Sequence, residues 1–232
     1  MSEAMRIALV GATGLVGGAV MELCVGRTDV RLAAVARRES PLPGGARMEM
    51  FVAEPDKWGE VFEAVRPAAL ICALGTTWKK AGRDEDAFRA VDHDLLLKTA
   101  AAAKAAGVER LVLVSSAGAD ARSKTFYLRT KGEVEAALGA MRFKRLDILR
   151  PGLLRGPRAG DRRLLERLGI LISPLTDLFM QGRFAGYRSI AAETVAKAAL
   201  ELAMRRAAGR FVHDNNGILR AAGSLSYLHR DA

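Results

Sequence analysis

The 232-residue sequence has little cysteine, histidine or aromatic side chain: 2 Cys, 3 His and 6% Phe, Trp and Tyr together. Two cysteines, Cys24 and Cys72, cannot form a disulfide framework, and both lie in apolar runs, where we expect reduced thiols that fill space. His93 and His213 have no partner at metal-ligand spacing. We therefore expect neither a disulfide-stabilised fold nor a metal site.

Long apolar segments are also missing. No run approaches the ~20 apolar residues that cross a bilayer, so we expect no membrane partner. Residues 1–6 lead directly into an apolar run and lack the pattern of a secretory signal peptide. Half of the residues are hydrophobic, which is ordinary for a globular core. The sequence thus predicts a cytoplasmic protein with a single domain over residues 1–232.

Positive charge is in excess, with 36 Lys and Arg against 26 Asp and Glu and a net charge of +10. Such a charge fits a nucleic acid, a small anionic ligand or a solvated surface. Nucleic-acid binding is disfavoured because the basic residues are spread along the chain and few aromatic residues are interleaved with them. A small anion is the stronger interpretation.

Short apolar runs alternate with stretches of helical periodicity. Runs that are apolar on both faces predict strands at residues 5–10, 32–36, 48–52, 68–74, 111–114, 146–149 and 210–213. Helices are predicted at 15–25, 56–65, 84–106, 127–141 and 193–206, the third of them ending at Gly107 as a C-cap. This alternation predicts an α/β fold, a Rossmann-type doubly wound parallel sheet with helices on both faces. We expect a core at 1–154, and a small C-terminal region on the substrate side made of an irregular segment at 155–190 and closing elements at 191–232.

Three glycines follow the first predicted strand in the sequence GATGLVG: Gly11, Gly14 and Gly17. This spacing permits a tight turn, a close backbone approach to a pyrophosphate and close packing of the next helix on the strand. The N-terminus of that helix offers unpaired N–H groups to the same anion. The motif therefore predicts a dinucleotide site, with an ordinary glycine-rich turn as the alternative.

Arg37 and Arg38 end the second predicted strand, about twenty residues beyond Gly17. Sites selective for NAD place an acidic residue here, which bonds the ribose 2′-hydroxyl and repels a 2′-phosphate. Two guanidinium groups instead suit a phosphate by their charge and their forked donors. We expect NADP(H) as the cofactor, with two solvated arginines as the alternative, and the neighbouring Glu39 weakens the charge argument.

Tyr127 and Lys131 lie four residues apart on a predicted helix and so share one face. A nearby ammonium stabilises a phenolate, which lets a tyrosine exchange a proton near neutral pH. Ser115 and Ser116 end the fifth predicted strand, at the sheet edge where ligands of such folds bind, and either hydroxyl can hold a substrate carbonyl. The alternative is a Tyr–Lys pair on a helix surface, with a serine that caps the helix.

Together these segments resemble the short-chain dehydrogenase/reductase superfamily and, within it, an atypical NAD(P)H-binding subgroup. The resemblance rests on GATGLVG, ALGTTWKKAG, SSAGAD, YLRTKGEVEAAL and RPGLL, which lie between residues 11 and 154. It implies that Tyr127 is the proton donor or acceptor and that Lys131 also binds the nicotinamide ribose. It further implies these cofactor contacts: Thr13, Gly14, Leu15 and Val16 at the pyrophosphate, Arg37 and Arg38 at the adenosine phosphate, Leu74 and Gly75 along the dinucleotide, and Leu154 near the nicotinamide.

The sequence departs from that family at two places. The acidic residue that often contacts adenine after the third strand is not evident, and Glu54 is the nearest candidate. The asparagine that completes a proton relay in many members has no clear counterpart, because VDHD occupies residues 91–94.

The resemblance implies an NADP(H)-dependent oxidoreductase that transfers hydride to or from a small carbonyl or alcohol substrate. Because relatives of this type have been assigned regulatory roles, a non-catalytic NADPH-binding redox sensor is the alternative. A homodimer is common in the superfamily, but no interface pattern stands out in this sequence.

The irregular segment is expected to shape the substrate pocket. Four of its arginines indicate either an anionic substrate or a solvated loop: Arg155, Arg158, Arg162 and Arg163. Four of its apolar residues are expected to pack in the core or to form an apolar pocket wall: Phe179, Met180, Phe184 and Tyr187.

Overall fold

The computed structural model describes residues 4–45, 48–156 and 188–227. Its strands are β1 Met5–Val10, β2 Val30–Ala36, β3 Glu49–Val52, β4 Ala69–Cys72, β5 Arg110–Val114, β6 Arg145–Leu149, β7 Leu154–Arg155, β8 Ile190–Ala191 and β9 Gly209–His213. Its helices are α1 Leu15–Leu23, α2 Trp58–Val65, α3 Glu85–Arg89, α4 Leu96–Ala105, α5 Phe126–Ala140, α6 Ala192–Met204 and α7 Asn215–Tyr227. A 3₁₀ turn, Pro55–Lys57, precedes α2, and a π-helical turn, Ala90–Leu95, joins α3 to α4.

Seven of these strands form one parallel sheet in the order β3-β2-β1-β4-β5-β6-β9. Val10 at the end of β1 pairs with Val35 of β2 on one side and with Cys72 of β4 on the other. The order of the strands reverses at β1, so the crevice between the carboxyl ends of β1 and β4 is the switch point where such sheets bind ligands. The predicted Rossmann-type fold is confirmed.

Alternate residues of the central strands enter two cores, one on each side of the sheet. In β1, Ile7 and Leu9 face one core and Ala8 and Val10 face the other. Helices α1, α6 and α7 cover the first core, and α2, α4 and α5 cover the second. The strands are apolar on both faces because each lies between two helical layers.

Most predicted elements are present, with ends shifted by one or two residues. The helix expected over 84–106 is instead three segments, α3, the π-helical turn and α4. It ends as predicted, because Gly107 has φ +83° and the N–H groups of Gly107 and Val108 donate to the carbonyl oxygens of Lys104 (3.1 Å) and Ala103 (3.0 Å). This is a Schellman C-cap. The short β7–β8 pair and helix α7 were not expected from the sequence.

The irregular segment predicted over 155–190 lies largely outside the described residues. Arg155 belongs to β7, and Ile190 belongs to β8. The other residues singled out in this segment lie outside the described ranges: Arg158, Arg162, Arg163, Phe179, Met180, Phe184 and Tyr187. Their roles stay predictions.

Both cysteines are free thiols, one in each core. Burial raises the pKa of Cys24 to about 11 and the pKa of Cys72 to about 12. Since apolar surroundings disfavour the thiolate, neither side chain is a reactive nucleophile at neutral pH. This placement agrees with the space-filling role expected of them.

Gly17 and Gly18 are neighbours on α1 that differ in their room for a side chain. An ideal Cβ on Gly17 would lie 2.1 Å from the Gly11 carbonyl oxygen, whereas the nearest atom to one on Gly18 is the Ala12 carbonyl oxygen at 3.7 Å. We expect Gly17→Ala to destabilise the protein by about 1–3 kcal/mol, because the helix must move off the glycine turn. We expect Gly18→Ala to be neutral or stabilising by up to ~1 kcal/mol. Urea unfolding followed by circular dichroism measures both, and equal losses would contradict the packing argument.

Candidate functional site

Gly11 lies where β1 and β4 approach each other at the carboxyl edge of the sheet. Its φ is +86°, and an ideal Cβ there would lie 2.3 Å from the carbonyl oxygen of Ala73. A side chain is therefore excluded both by the backbone conformation and by the neighbouring strand. The Gly14 N–H closes the turn by donating to the Gly11 carbonyl oxygen at 3.0 Å.

Helix α1 begins directly after this turn, with Gly14 as its N-cap. No side chain in the described part of the protein caps this end, and the first turn carries no acidic residue. The N–H groups of Leu15, Val16 and Gly17 are therefore available to an anion, which the helix dipole also favours. Thr13 and Gly14 are exposed beside them. These residues fit the pyrophosphate of a dinucleotide.

Arg37 and Arg38 follow β2, the strand beside β1, so they lie at the same edge as the glycine turn. Both side chains are exposed. Within residues 4–45, 48–156 and 188–227, neither guanidinium is paired with a carboxylate. By contrast, Arg31 near the other end of β2 pairs with Glu49 at 3.1 Å. The carboxyl edge thus carries two uncompensated positive charges.

Lys131 lies one helical turn after Tyr127 on α5 and is buried, with 5% of its surface exposed. Its Nζ is 2.7 Å from Oδ1 of Asp92, which is fully buried on the π-helical turn. The Thr76 N–H donates to the other Asp92 oxygen at 2.6 Å. An ideal Cβ on Gly75 would lie 3.4 Å from Asp92 Oδ1 and 3.9 Å from Lys131 Nζ. The fold thus brings Tyr127, Lys131 and Gly75 to one place.

Two opposing effects act on the charge of Lys131. Burial disfavours the ammonium, but the Asp92 carboxylate and Tyr127 outweigh burial, so the pKa of Lys131 is raised above its ordinary value. Lys131 is therefore a permanent cation at neutral pH. Such a cation stabilises negative charge that develops nearby and can donate hydrogen bonds to ribose hydroxyls.

Motif spacing does not identify Asp92. It shows only that the VDHD sequence lacks the asparagine that completes the proton relay in many family members. A signal is nevertheless present in the sequence. Asp92 lies four residues from both Phe88 and Leu96, which are fully buried, so an acidic residue stands in the middle of an apolar stripe. A carboxylate in such a position requires a partner, and Lys131 supplies it.

The two serines after β5 have different surroundings. Ser115 is buried, and its Oγ donates to Oε1 of the buried Glu135 at 2.5 Å. Arg150 donates to the same carboxylate from Nε at 3.1 Å and from Nη2 at 2.5 Å, and these hydrogen bonds raise the pKa of Arg150. Ser116 is less buried, and its Oγ donates to the Ala117 carbonyl oxygen at 3.3 Å. Ser115 is thus held in an internal network, while Ser116 remains accessible.

Leu74 and Leu154 pack into different cores. Leu74, after β4, packs against the core beneath α2, α4 and α5, whereas Leu154, in β7, packs against the other core. Two residues after Leu154, an ideal Cβ on Gly156 would lie 3.1 Å from the Leu15 side chain. The β7 segment therefore lies beside the start of α1, and its contact with a nicotinamide stays a prediction.

Acidic, histidine and cysteine side chains are not clustered in the part of the chain that the structure describes. No group of three or more of them could hold a metal ion there. No helix in the same residues combines the length and apolarity needed to cross a membrane.

A glycine turn at the switch point of a Rossmann sheet, with an uncapped helix behind it, is characteristic of proteins that bind nicotinamide dinucleotides. Comparison with known proteins agrees: the profile of a family described as NAD(P)H-binding matches residues 11–206. The chain belongs to this NAD(P)H-binding family. A nicotinamide cofactor is therefore supported.

The chain is also similar to curated fungal proteins. It is 37% identical over 164 residues to the mitochondrial protein fmp52 of Emericella nidulans, covering 68% of this chain and 70% of that protein. It is 33% identical over 204 residues to the mitochondrial protein FMP52 of Meyerozyma guilliermondii, covering 86% of each. The corresponding Saccharomyces cerevisiae protein is 38% identical over 158 residues, which is 67% of this chain and 68% of that protein.

Among solved structures, the chain is similar to MoeE5 in complex with UDP-glucose and NAD, with a TM-score of 0.66 at 18% identity over 96% of this chain and 82% of that one. It is also similar to WbmG of Bordetella bronchiseptica in complex with NAD, with a TM-score of 0.64 at 19% identity over 98% and 79% of the two chains. At such identities the likeness shows the shared fold alone.

The prediction of a cytoplasmic protein is wrong by this comparison. The fungal relatives are each named as mitochondrial proteins. The prediction rested on the absence of an apolar secretory segment. Mitochondrial targeting sequences need no such segment, because they are amphipathic and basic.

Removing the Asp92 carboxylate is expected to leave Lys131 as a buried charge without its partner. We expect Asp92→Ala to lower the free energy of unfolding by about 3–5 kcal/mol. The matched control is Glu60→Ala, which breaks the exposed Lys57–Glu60 pair at 2.7 Å and should cost less than ~1 kcal/mol. Urea unfolding at pH 7 compares the two variants. Losses of similar size would show that the Asp92–Lys131 pair is no more important than a surface pair.

Proposed function

We propose that the protein is an NADP(H)-dependent oxidoreductase that transfers hydride between the nicotinamide and a small carbonyl or alcohol. The observation that carries this proposal is Tyr127 one turn before a buried, positively charged Lys131. Lys131 lies beneath Gly75, at the sheet edge that also carries the glycine turn. A proton donor and a dinucleotide-binding backbone at one edge are what carbonyl reduction requires.

Tyr127 has the central role in the proposed reaction. A bound NADPH would supply the hydride that the carbonyl carbon accepts, leaving NADP⁺. Tyr127 donates its hydroxyl proton to the carbonyl oxygen as negative charge develops there, which completes the alcohol. In the oxidative direction, the tyrosine oxygen accepts the proton of the alcohol. Lys131 stabilises the phenolate that remains until solvent reprotonates it.

Asp92 acts in this scheme as a positioning residue. Its carboxylate holds Lys131 Nζ at 2.7 Å and is itself held by the Thr76 N–H at 2.6 Å. An ammonium has three donors, so one interaction with Asp92 leaves two for ribose hydroxyls and the tyrosine oxygen. Asp92 thus keeps the lysine charged and fixes where its remaining donors point.

Ser116 is the serine that we assign to the substrate oxygen. The Ser115 hydroxyl proton is engaged by Glu135 at 2.5 Å, and the Glu135 carboxylate is in turn bound by Arg150. Releasing Ser115 would leave a buried carboxylate short of a donor, which is costly. Among the residues that the structure describes, Ser116 has only the 3.3 Å contact with the Ala117 carbonyl oxygen to give up.

Arg37 and Arg38 support NADP(H) over NAD(H) as the cofactor. They are exposed beside the glycine turn and carry no carboxylate partner among the described residues. Guanidinium groups bind a phosphate with charge-assisted and often bidentate hydrogen bonds. A 2′-phosphate at this edge would find two such donors, neither of them paired with a carboxylate in the described part of the chain.

Tyr127→Phe removes the proposed proton donor and keeps the ring. We expect kcat for NADPH-dependent carbonyl reduction to fall by about 10²–10⁴-fold, while NADPH binding measured by fluorescence stays unchanged. The matched control is Thr130→Val, which removes a buried hydroxyl on the same helix that has no hydrogen-bond partner among the described residues. Its activity should be that of the native protein.

These activity and binding measurements also distinguish an enzyme from a protein that binds NADPH without catalysis. Native rates in Tyr127→Phe would reject the assigned proton donor. Tight NADPH binding by the native protein, with no product from a broad panel of aldehydes and ketones, would instead support a redox-sensing protein.

Arg37→Ala and Arg38→Ala test the cofactor preference. Each removes charge-assisted hydrogen bonds to the 2′-phosphate, so we expect the Kd for NADPH to rise about tenfold while the Kd for NADH stays the same. Arg31→Ala is the matched control, because this arginine is exposed in β2, the strand that precedes Arg37 and Arg38, but lies away from the site. Equal effects on NADPH and NADH, or none on either, would reject the 2′-phosphate assignment.

A further inference from the structure

Four aromatic rings lie in contact at the site, and we call them the aromatic wall: Trp78, Phe88, Phe126 and Tyr127. The centroid of the Phe88 ring is 5.6 Å from that of Tyr127 and 5.7 Å from that of Phe126. Trp78 lies against both phenylalanines, 5.7 Å from Phe126 and 6.3 Å from Phe88. Tilted and edge-to-face contacts at such distances are favourable, so the rings support one another.

The aromatic wall is buried at one end and open at the other. Phe88 is fully buried, whereas 39% of Trp78 is exposed. The loop that carries Trp78 is closed by its own hydrogen bonds, since the Arg83 N–H donates to the Trp78 carbonyl oxygen at 2.9 Å and the Ala81 N–H to that of Thr77 at 2.9 Å. The indole is thus held in place before a ligand arrives, which reduces the entropic cost of binding to it.

A second exposed apolar side chain lies on the other side of Ser116. Leu153 is 68% exposed and follows Pro151, whose carbonyl oxygen accepts the Ala117 N–H at 2.8 Å. Because β5 lies between β4 and β6, the Ser116 loop lies between the loops that carry Trp78 and Leu153. Polar hydroxyls with apolar groups on both sides are typical of a site for a small, mostly apolar molecule.

We propose that the substrate is a planar aromatic aldehyde or ketone, whose ring lies on the exposed face of Trp78 while its carbonyl oxygen meets Tyr127 and Ser116. The inference rests on the proposed function, because it assigns the substrate class of the same site. One indole face is too small for a protein partner, whose interface buries about 800 Å² on each side. It matches a single ring, and stacking favours an aromatic ring over a saturated one.

Benzaldehyde and cyclohexanecarboxaldehyde form a matched pair of probes, because one aldehyde group is carried by an aromatic ring and the other by a saturated ring of six carbons. With the full chain and NADPH, we expect kcat/KM to favour benzaldehyde by about fivefold to tenfold. Trp78→Ala should abolish this preference, and Trp78→Phe should keep most of it. Leu219→Ala removes an exposed apolar side chain on α7 and should leave the preference unchanged.

Two results of this comparison would overturn the inference while leaving the proposed function standing. The first is reduction of both aldehydes by the native protein with no preference. The second is a preference that survives in Trp78→Ala.

A measurement without turnover separates this inference from the proposed function. The chain has two tryptophans, and Trp58 is 2% exposed, so acrylamide quenches chiefly the fluorescence of Trp78. With NADPH present, which cannot accept a hydride from an alcohol, benzyl alcohol should protect Trp78 from quenching more strongly than cyclohexylmethanol does. Protection without reduction of either aldehyde supports the aromatic site and rejects the proposed catalysis. Equal or absent protection by the two alcohols overturns the inference.

Discussion

The buried ion pair between Lys131 and Asp92 is the interaction on which the site depends. It joins α5 to the π-helical turn, and the Thr76 N–H ties the loop after β4 to the same carboxylate. An uncompensated charge in this position costs about 3–5 kcal/mol, so these three segments constrain one another. Gly75 passes close over the pair, which places the loop backbone against Lys131, one helical turn after Tyr127. The aromatic wall extends the same arrangement outward, because Phe88, two residues before the start of the π-helical turn, also contacts Tyr127.

A second constraint is the close approach of β1 and β4 at the switch point. Gly11 meets the backbone of Ala73, and Gly17 meets the backbone of Gly11, so the turn and the start of α1 leave no room for side chains. The first N–H groups of α1 consequently open toward the crevice, with Arg37 and Arg38 at the end of the adjacent strand. Part of the net charge of +10 thus lies at this crevice, where we propose that it binds the phosphates of the cofactor.

The strands could be predicted because each is apolar on both faces, a direct consequence of burial between two helical layers. The helix over 84–106 was predicted as one continuous element, since periodicity identifies a buried face but does not distinguish a π-helical turn from an α-helix. Helix α7 was not predicted because two of its four buried apolar residues are alanines, which make a weak apolar stripe: Ile218, Ala221, Ala222 and Leu225. Its burial depends on neighbours that the local sequence does not show.

The sequence by itself determined the features that depend on local spacing. Three glycines specify one turn and one helix start, Tyr127 and Lys131 share a helix face, and Gly107 ends a helix. The tertiary structure alone decided which charges pair and which hydroxyl is accessible. Asp92 meets Lys131, and Glu135 engages Ser115 rather than Ser116, because the sheet brings distant segments together and burial requires each charge to find a partner. Local spacing sets contacts within one turn of chain, whereas contacts between segments follow from how the layers pack.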